Sequence, residues 1–242
     1  MNLKRNEWEN VLKLCPEVVS IIAVENAGLL WSYCNDLRAQ SEGGVGEFQL
    51  FDNTFKESYI ARDLVVEMDI TNIVLNNKRL VNAFVKKCSM ELVRHKFQQR
   101  FSDVTALIYQ LCKDIADEVG FGYGTVLNPE IDLQGMLKLV DVKFTENHTT
   151  LLEKLVEYIN ICTEFLDVRI FVFLFPSKFL TIEDVSKLQS HCAMQEVSLV
   201  FIEDSIKVYE SSSLNSQAII IDQDGYELTK NFDPEFDEIR LP

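Results

Sequence analysis

The chain has 242 residues, 47% hydrophobic and 25% charged, the make-up of an ordinary globular protein with room for one large domain or two small ones. Its net charge of −15 excludes a surface that coats nucleic acid wholesale, so any contact with a polyanion has to be local. Six cysteines without a C-x-x-C pair, and no apolar run long enough for a signal segment or a bilayer span, point to a reduced cytoplasmic protein with no structural zinc and no membrane partner.

The β-branched run at 18–24 reads as a buried strand, and a helix follows over about 27–39 before a glycine-rich break at 41–46. Residues 48–51 and 64–69 read as further strands, the second with alternating Leu64, Val66 and Met68, and all are expected in one sheet. Helical periodicity then runs over about 71–118. Val81, Phe84, Val85, Cys88 and Leu92 fall on one apolar stripe, with Arg79, Lys86, Lys87 and Arg94 opposite. Beyond Lys96 the stripe moves to Phe97, Phe101, Val104, Ile108 and Ile115. Either the helix breaks at 94–97 or one long helix buries opposite faces; the reading adopted is an extended arm. Glycines 120, 122 and 124 and Asn128-Pro129 mark a loop, and helical pattern resumes at 132–139 and 149–165.

The closing unit is the clearest. Residues 169–175 form a continuous apolar strand. Thr181 and Asp184 frame a capping box for a helix with Val185, Leu188 and Cys192 on its stripe, and 197–202 is the next strand. Such a β-α-β crossover predicts parallel strands. One more strand is expected at 218–221, before an acidic tail. The fold class is therefore α/β, with a sheet built from both ends of the chain around a helical insertion.

Between Lys78 and Arg100 the chain gathers Lys78, Arg79, Lys86, Lys87, Arg94, Lys96 and Arg100 against the single acid Glu91. That segment is net +6, so the other 219 residues carry −21. Either this is the solvated face of a surface helix or it faces the phosphates of a polyanion. Catalytic chemistry is hard to find. Gly43-Gly44-Val45-Gly46 runs into Glu47 instead of a lysine and hydroxyl, and Glu25-Asn26-Ala27-Gly28 follows the first strand, so no phosphate loop and no nucleotide are expected. His95, His148 and His191 lack a ligand partner four residues on, and paired carboxylates such as Glu203-Asp204 read as solvated charges. Glu118, Glu130 and Asp132 bracket the glycine-rich loop. They are either solvated or the hard oxygen ligands that calcium takes.

Residues 50–58, 63–69, 179–189 and 200–203 resemble, in order and spacing, the ring-forming accessory protein family of type II-A CRISPR systems, which serves spacer acquisition. The resemblance covers most of residues 1–210. It implies an α/β head, related to P-loop ATPases but without the loop, and a helical leg; on this chain the head is 1–75 with 165–242 and the leg 76–164. It implies a homotetrameric ring whose positive hole takes the ends of double-stranded DNA without cutting it, beside the CRISPR integrase proteins and the effector nuclease. It also implies calcium held by acids between head and leg, of which Glu130 alone matches. The residues lining the hole do not carry over. The stripe Arg79, Lys86, Lys87 and Arg94 is the candidate, with Lys78, Lys96 and Arg100 beside it and Lys56 as an outlier. The competing classes are a degenerate P-loop-like nucleotidase or metal-dependent nuclease, and a protein-interaction scaffold that does not bind DNA.

Overall fold

The apolar runs read as buried strands form the centre of one sheet. A computed structural model describes residues 1–94, 97–119 and 131–232 (of 92–94 the backbone alone) and divides the chain into two compact units, Met1–Val74 with Glu146–Pro242, and Leu75–Thr145. The chain opens with β1 (Asn2–Arg5), β2 (Leu12–Lys13), β3 (Val19–Val24), α1 (Ala27–Ser41), β4 (Phe48–Phe51), β5 (Glu57–Ser58), α2 (Ile60–Asp63) and β6 (Leu64–Glu67). The second unit holds α3 (Lys78–Arg94), α4 (Gln98–Glu118) and α5 (Leu133–Leu139). The first unit then resumes with α6 (Leu151–Leu166), β7 (Ile170–Leu174), α7 (Ile182–Met194) and β8 (Ser198–Glu203). It closes with α8 (Lys207–Glu210), β9 (Ser216–Ile221) and β10 (Glu227–Phe232).

Every residue of β3, β7 and β8 is buried, as strands covered on both faces must be. They sit inside a six-stranded sheet of order β10-β9-β3-β8-β7-β6. β7 and β8 run parallel, Ile170 opposite Ser198 and Leu174 opposite Ile202, as a crossover through α7 requires. β3 and β6 come from the front of the chain and the other four strands from its end. The fold is thus mixed α/β.

The expectation of a single sheet does not hold. β4 belongs to a second, antiparallel sheet of order β2-β1-β4-β5. Phe48 and Leu50 of β4 are buried while Gln49 faces out, the alternation of a half-covered antiparallel strand. Its neighbour β1 reads as polar, yet Asn2, Leu3 and Arg5 are buried. Leu3, Trp8, Tyr33, Leu37, Phe48 and Leu50 form one core cluster with Ile22, Val24, Val172, Val200, Ile202 and Ile219 of the large sheet. Period-two alternation turns Phe171, Phe173 and Phe201 to the opposite face. There the Tyr158 ring on α6 lies 6.2 Å from Phe171. Because α6 buries Leu155, Tyr158, Ile159, Ile161 and Cys162, it belongs to the sheet unit, whereas the sequence division carried residues 146–164 with the helices.

Capping boxes open α6 and α7. Thr181 Oγ1 accepts from Asp184 N at 3.1 Å while Thr181 N donates to the Asp184 carboxylate at 3.1 Å. Thr150 and Glu153 do the same on α6. Hydrogen bonds from the Thr149 and Thr150 backbone and the Thr149 hydroxyl hold Glu153 below the usual carboxylate range, and the Thr181 hydroxyl and backbone N–H do so for Asp184. A depressed folded pKa gives stability that is full above the unfolded value and drains as pH falls through the folded one. The thermal midpoint should therefore drop on acidification below about pH 4, and Glu153→Gln/Asp184→Asn should flatten that drop in a calorimetric pH series.

The helical stretch read over 71–118 is two helices, α3 and α4. It also starts later than its periodicity suggests. Asp69 caps a single 3-10 turn at Ile70–Asn72, and Asn77 Oδ1 accepts from Leu80 N at 3.0 Å to begin α3. Asn76 exchanges both hydrogen bonds with the Phe144 backbone, at 3.0 and 2.7 Å, and the Phe144 ring meets Phe84 edge-on at 5.6 Å. The loop read at 120–130 and the acidic tail from 233 lie outside the described residues.

Candidate nucleic-acid interface

α3 separates its charge from its grease. Leu80 and Val85 are buried, and Val81, Phe84 and Cys88 are half-buried on the same side. Opposite them Arg79 and Lys86, seven residues and two turns apart, are exposed on one face, with half-buried Lys87 along its edge. Lys78 and Arg79 sit in the first turn, which holds no acid. Cations at the positive end of a helix dipole are repelled by it, and an anion seated there would relieve that repulsion. The Arg94 side chain and all of Lys96 lie outside the described residues. Arg100 is exposed, on α4 instead of α3. Lys56 is exposed in the turn between β4 and β5, in the sheet unit, where its backbone N–H is bound by Asp52. The structure thus brings Lys78, Arg79, Lys86 and Lys87 together on α3 and leaves Arg100 and Lys56 on other elements.

The loop after β3 is where a phosphate would approach the first turn of α1. That turn is already capped by the chain itself. Asn26 Oδ1 accepts from Gly28 N at 3.0 Å and Leu29 N at 3.2 Å, and Asn26 Nδ2 donates to Gln223 O at 3.0 Å. The glycine cluster does a different job. Gly43 stands at φ +92° and Gly44 N donates to Ala39 O at 2.8 Å, so the run ends α1 and turns the chain into β4. A Cβ on Gly44 would come within 2.9 Å of that same carbonyl oxygen.

The sequence model of the family described as CRISPR-associated protein (Cas_Csn2) matches residues 43–225. The chain belongs to that family. The matched span is 183 of its 242 residues and contains both the α3 face and the β7-α7-β8 crossover. No curated protein matches the chain. Among the described residues, no helix is long and apolar enough to cross a membrane.

For this member of the CRISPR-associated family two of the three calcium candidates lie among the described residues. Glu118 is exposed at the last residue of α4. Asp132 caps α5, its Oδ1 accepting from Gly135 N at 2.6 Å. Glu130 lies outside the described residues. Calcium takes six to eight oxygens, and among the described residues no three acids, histidines or cysteines cluster to hold a metal. The described acids alone do not make up such a set. His148 pairs with Glu157, and His191 shares Asn160 with Gln195. A shallow groove along α6 carries Glu153, Glu157 and Glu164, charges that would repel a nucleic-acid backbone.

One acid was misread. Glu203 is fully buried at the end of β8, not solvated. It accepts from Ser177 N at 2.9 Å, Ser177 Oγ at 2.8 Å and Tyr209 OH at 2.7 Å. Burial pushes its pKa up against those three donors, and the same burial beside the carboxylate raises the Tyr209 hydroxyl. The group is a tie between the turn after β7 and α8. No feature of the residues around it in sequence signals that.

Proposed function

We propose that the protein is a non-catalytic binder of double-stranded DNA ends, assembled as a homotetrameric ring and acting in spacer acquisition beside the CRISPR integrase proteins and effector nuclease. One observation carries the reading: a helix face with exposed Arg79 and Lys86, in a chain whose residues outside 78–100 sum to −21. A ring reconciles the two, since a lumen can be cationic while the outer surface is anionic. Lysine and arginine would contact phosphates without reading bases, so binding is independent of sequence and falls steeply with salt. The self-capped start of α1 supports a sheet unit that is kin to P-loop ATPases but has given up the nucleotide, and the unit Leu75–Thr145 is read as the leg. No step is routed through calcium.

The test is topological. Protein mixed with equal lengths of linear and covalently closed duplex should retain the linear form only, and linearising the circle should restore binding in a mobility-shift assay. Equal retention of the closed circle excludes threading.

A further inference from the structure

α4 buries none of its residues, although one side of it is almost wholly apolar. Phe97, Val104, Leu111 and Ile115 are 51%, 46%, 60% and 55% exposed, with half-buried Phe101 and Ile108 between them. These six recur at alternating steps of four and three. That 3.5-residue period is the seam of a coiled coil, with Phe101, Ile108 and Ile115 at the a positions and Phe97, Val104 and Leu111 at d. A monomer rarely leaves so long an apolar stripe in water.

We infer that α4 packs antiparallel against α4 of a second copy of this chain, about a twofold axis near Ala106–Leu107. In that register Phe97 meets the partner's Ile115, Phe101 the partner's Leu111, and Val104 the partner's Ile108, each layer formed twice. The flanking g positions are Arg100, Leu107 and Asp114. The same axis sets Arg100 against the partner's Asp114 twice on one flank of the helix pair, once toward each end, with Leu107, 71% exposed, against its own copy between them. Sliding by one heptad would drive Glu118, the next d position, against Phe101. A parallel pair would stack the two Glu118 side chains and set Arg100 beside Thr105 and Asp114 beside Val119, with no opposite charges facing. Charge complementarity therefore selects both the direction and the register, which is what flanking charges do in such pairs. Arg100 becomes an interface residue and leaves the group of phosphate contacts. The proposal rests on the self-association of the reading above and names a surface that performs it.

Because α4 contributes nothing buried to its own chain, Ile108→Asp should leave the far-UV spectrum unchanged while at least halving the mass seen by light scattering. Arg100→Glu and Asp114→Arg should each weaken association about tenfold, and the double variant should recover it. With Cys112 changed to Ser, chains carrying Arg100→Cys and chains carrying Asp114→Cys should crosslink to each other and not to themselves, as mapped by mass spectrometry. An unchanged mass in Ile108→Asp, or crosslinks joining only like chains, overturns the proposal. Mass is read without DNA, so an assembled protein that ignores linear duplex refutes the DNA reading and leaves this interface standing.

Discussion

Arg79→Glu/Lys86→Glu should bind a short linear duplex at least about 100-fold more weakly than the natural chain at 50 mM salt. Each cation that neutralises a phosphate adds about 0.9 to the slope of log affinity against log salt, so the variant should also show a visibly flatter salt dependence. In a ring of four copies the two substitutions change eight side chains from attractive to repulsive. Replacing the same residues by Gln removes the attraction without adding repulsion, and should fall between. The loss should be equal on A·T-rich and G·C-rich duplexes, because phosphate contacts carry no base information. Both side chains are exposed, so the melting temperature should move little, as for most surface changes. Lys56→Glu, on the β4–β5 turn, is the comparison: a loss there would extend the DNA surface to the sheet unit. Fluorescence anisotropy over a salt series measures all of these. Unchanged affinity in the double variant would falsify the assignment of α3 and favour a scaffold whose basic face grips acidic proteins.

What could be read in the sequence depended on whether burial left a periodic trace. The β7-α7-β8 crossover was legible because five consecutive apolar residues, a Thr181/Asp184 box and a three-residue stripe agree with each other. The amphipathic division of α3 was legible for the same reason. β1 was not, because its burial is hidden behind polar letters. Arg5 is 7% exposed, held between Glu7 and Asp36 with its guanidinium 4.3 Å from the centre of the Tyr33 ring. β10 hid in the same way, since Glu227–Phe232 pairs along β9 through backbone groups while most of its side chains face out. Without β1, nothing distinguishes β4 from a strand of the large sheet, so the second sheet went unseen. The site was legible as charge and not as geometry. Sequence ranked seven cations together, whereas the structure puts Lys78, Arg79, Lys86 and Lys87 on α3 and Arg100 on α4. Only solved helix boundaries put Arg100 beside an apolar seam.

Phe171→Ala should cost about 3–5 kcal/mol, the range for deleting a fully buried aromatic ring. Phe171 is 0% exposed on β7, between β6 and β8, with the rings of Tyr158 and Phe173 each 6.2 Å away. Strands on both sides hold its backbone, so the sheet cannot close over the hole, and the Tyr158 ring on α6 loses its partner. Against a typical total of about 5–15 kcal/mol this is a large fraction. The melting temperature of a unit of this size should fall by roughly 10 °C, while Phe171→Leu, which keeps most of the volume, should move it by much less. The two compact units make the experiment sharper than a single number. Calorimetry should show the loss in the transition of the sheet unit, with the helical unit following only as far as the two are coupled. Ile108→Asp, on a helix that buries nothing in its own chain, should do the reverse: melting barely shifts while association collapses. If Phe171→Ala lowered association as strongly as stability, the copies would be meeting through the sheet unit, and α4 would no longer suffice as the joining surface.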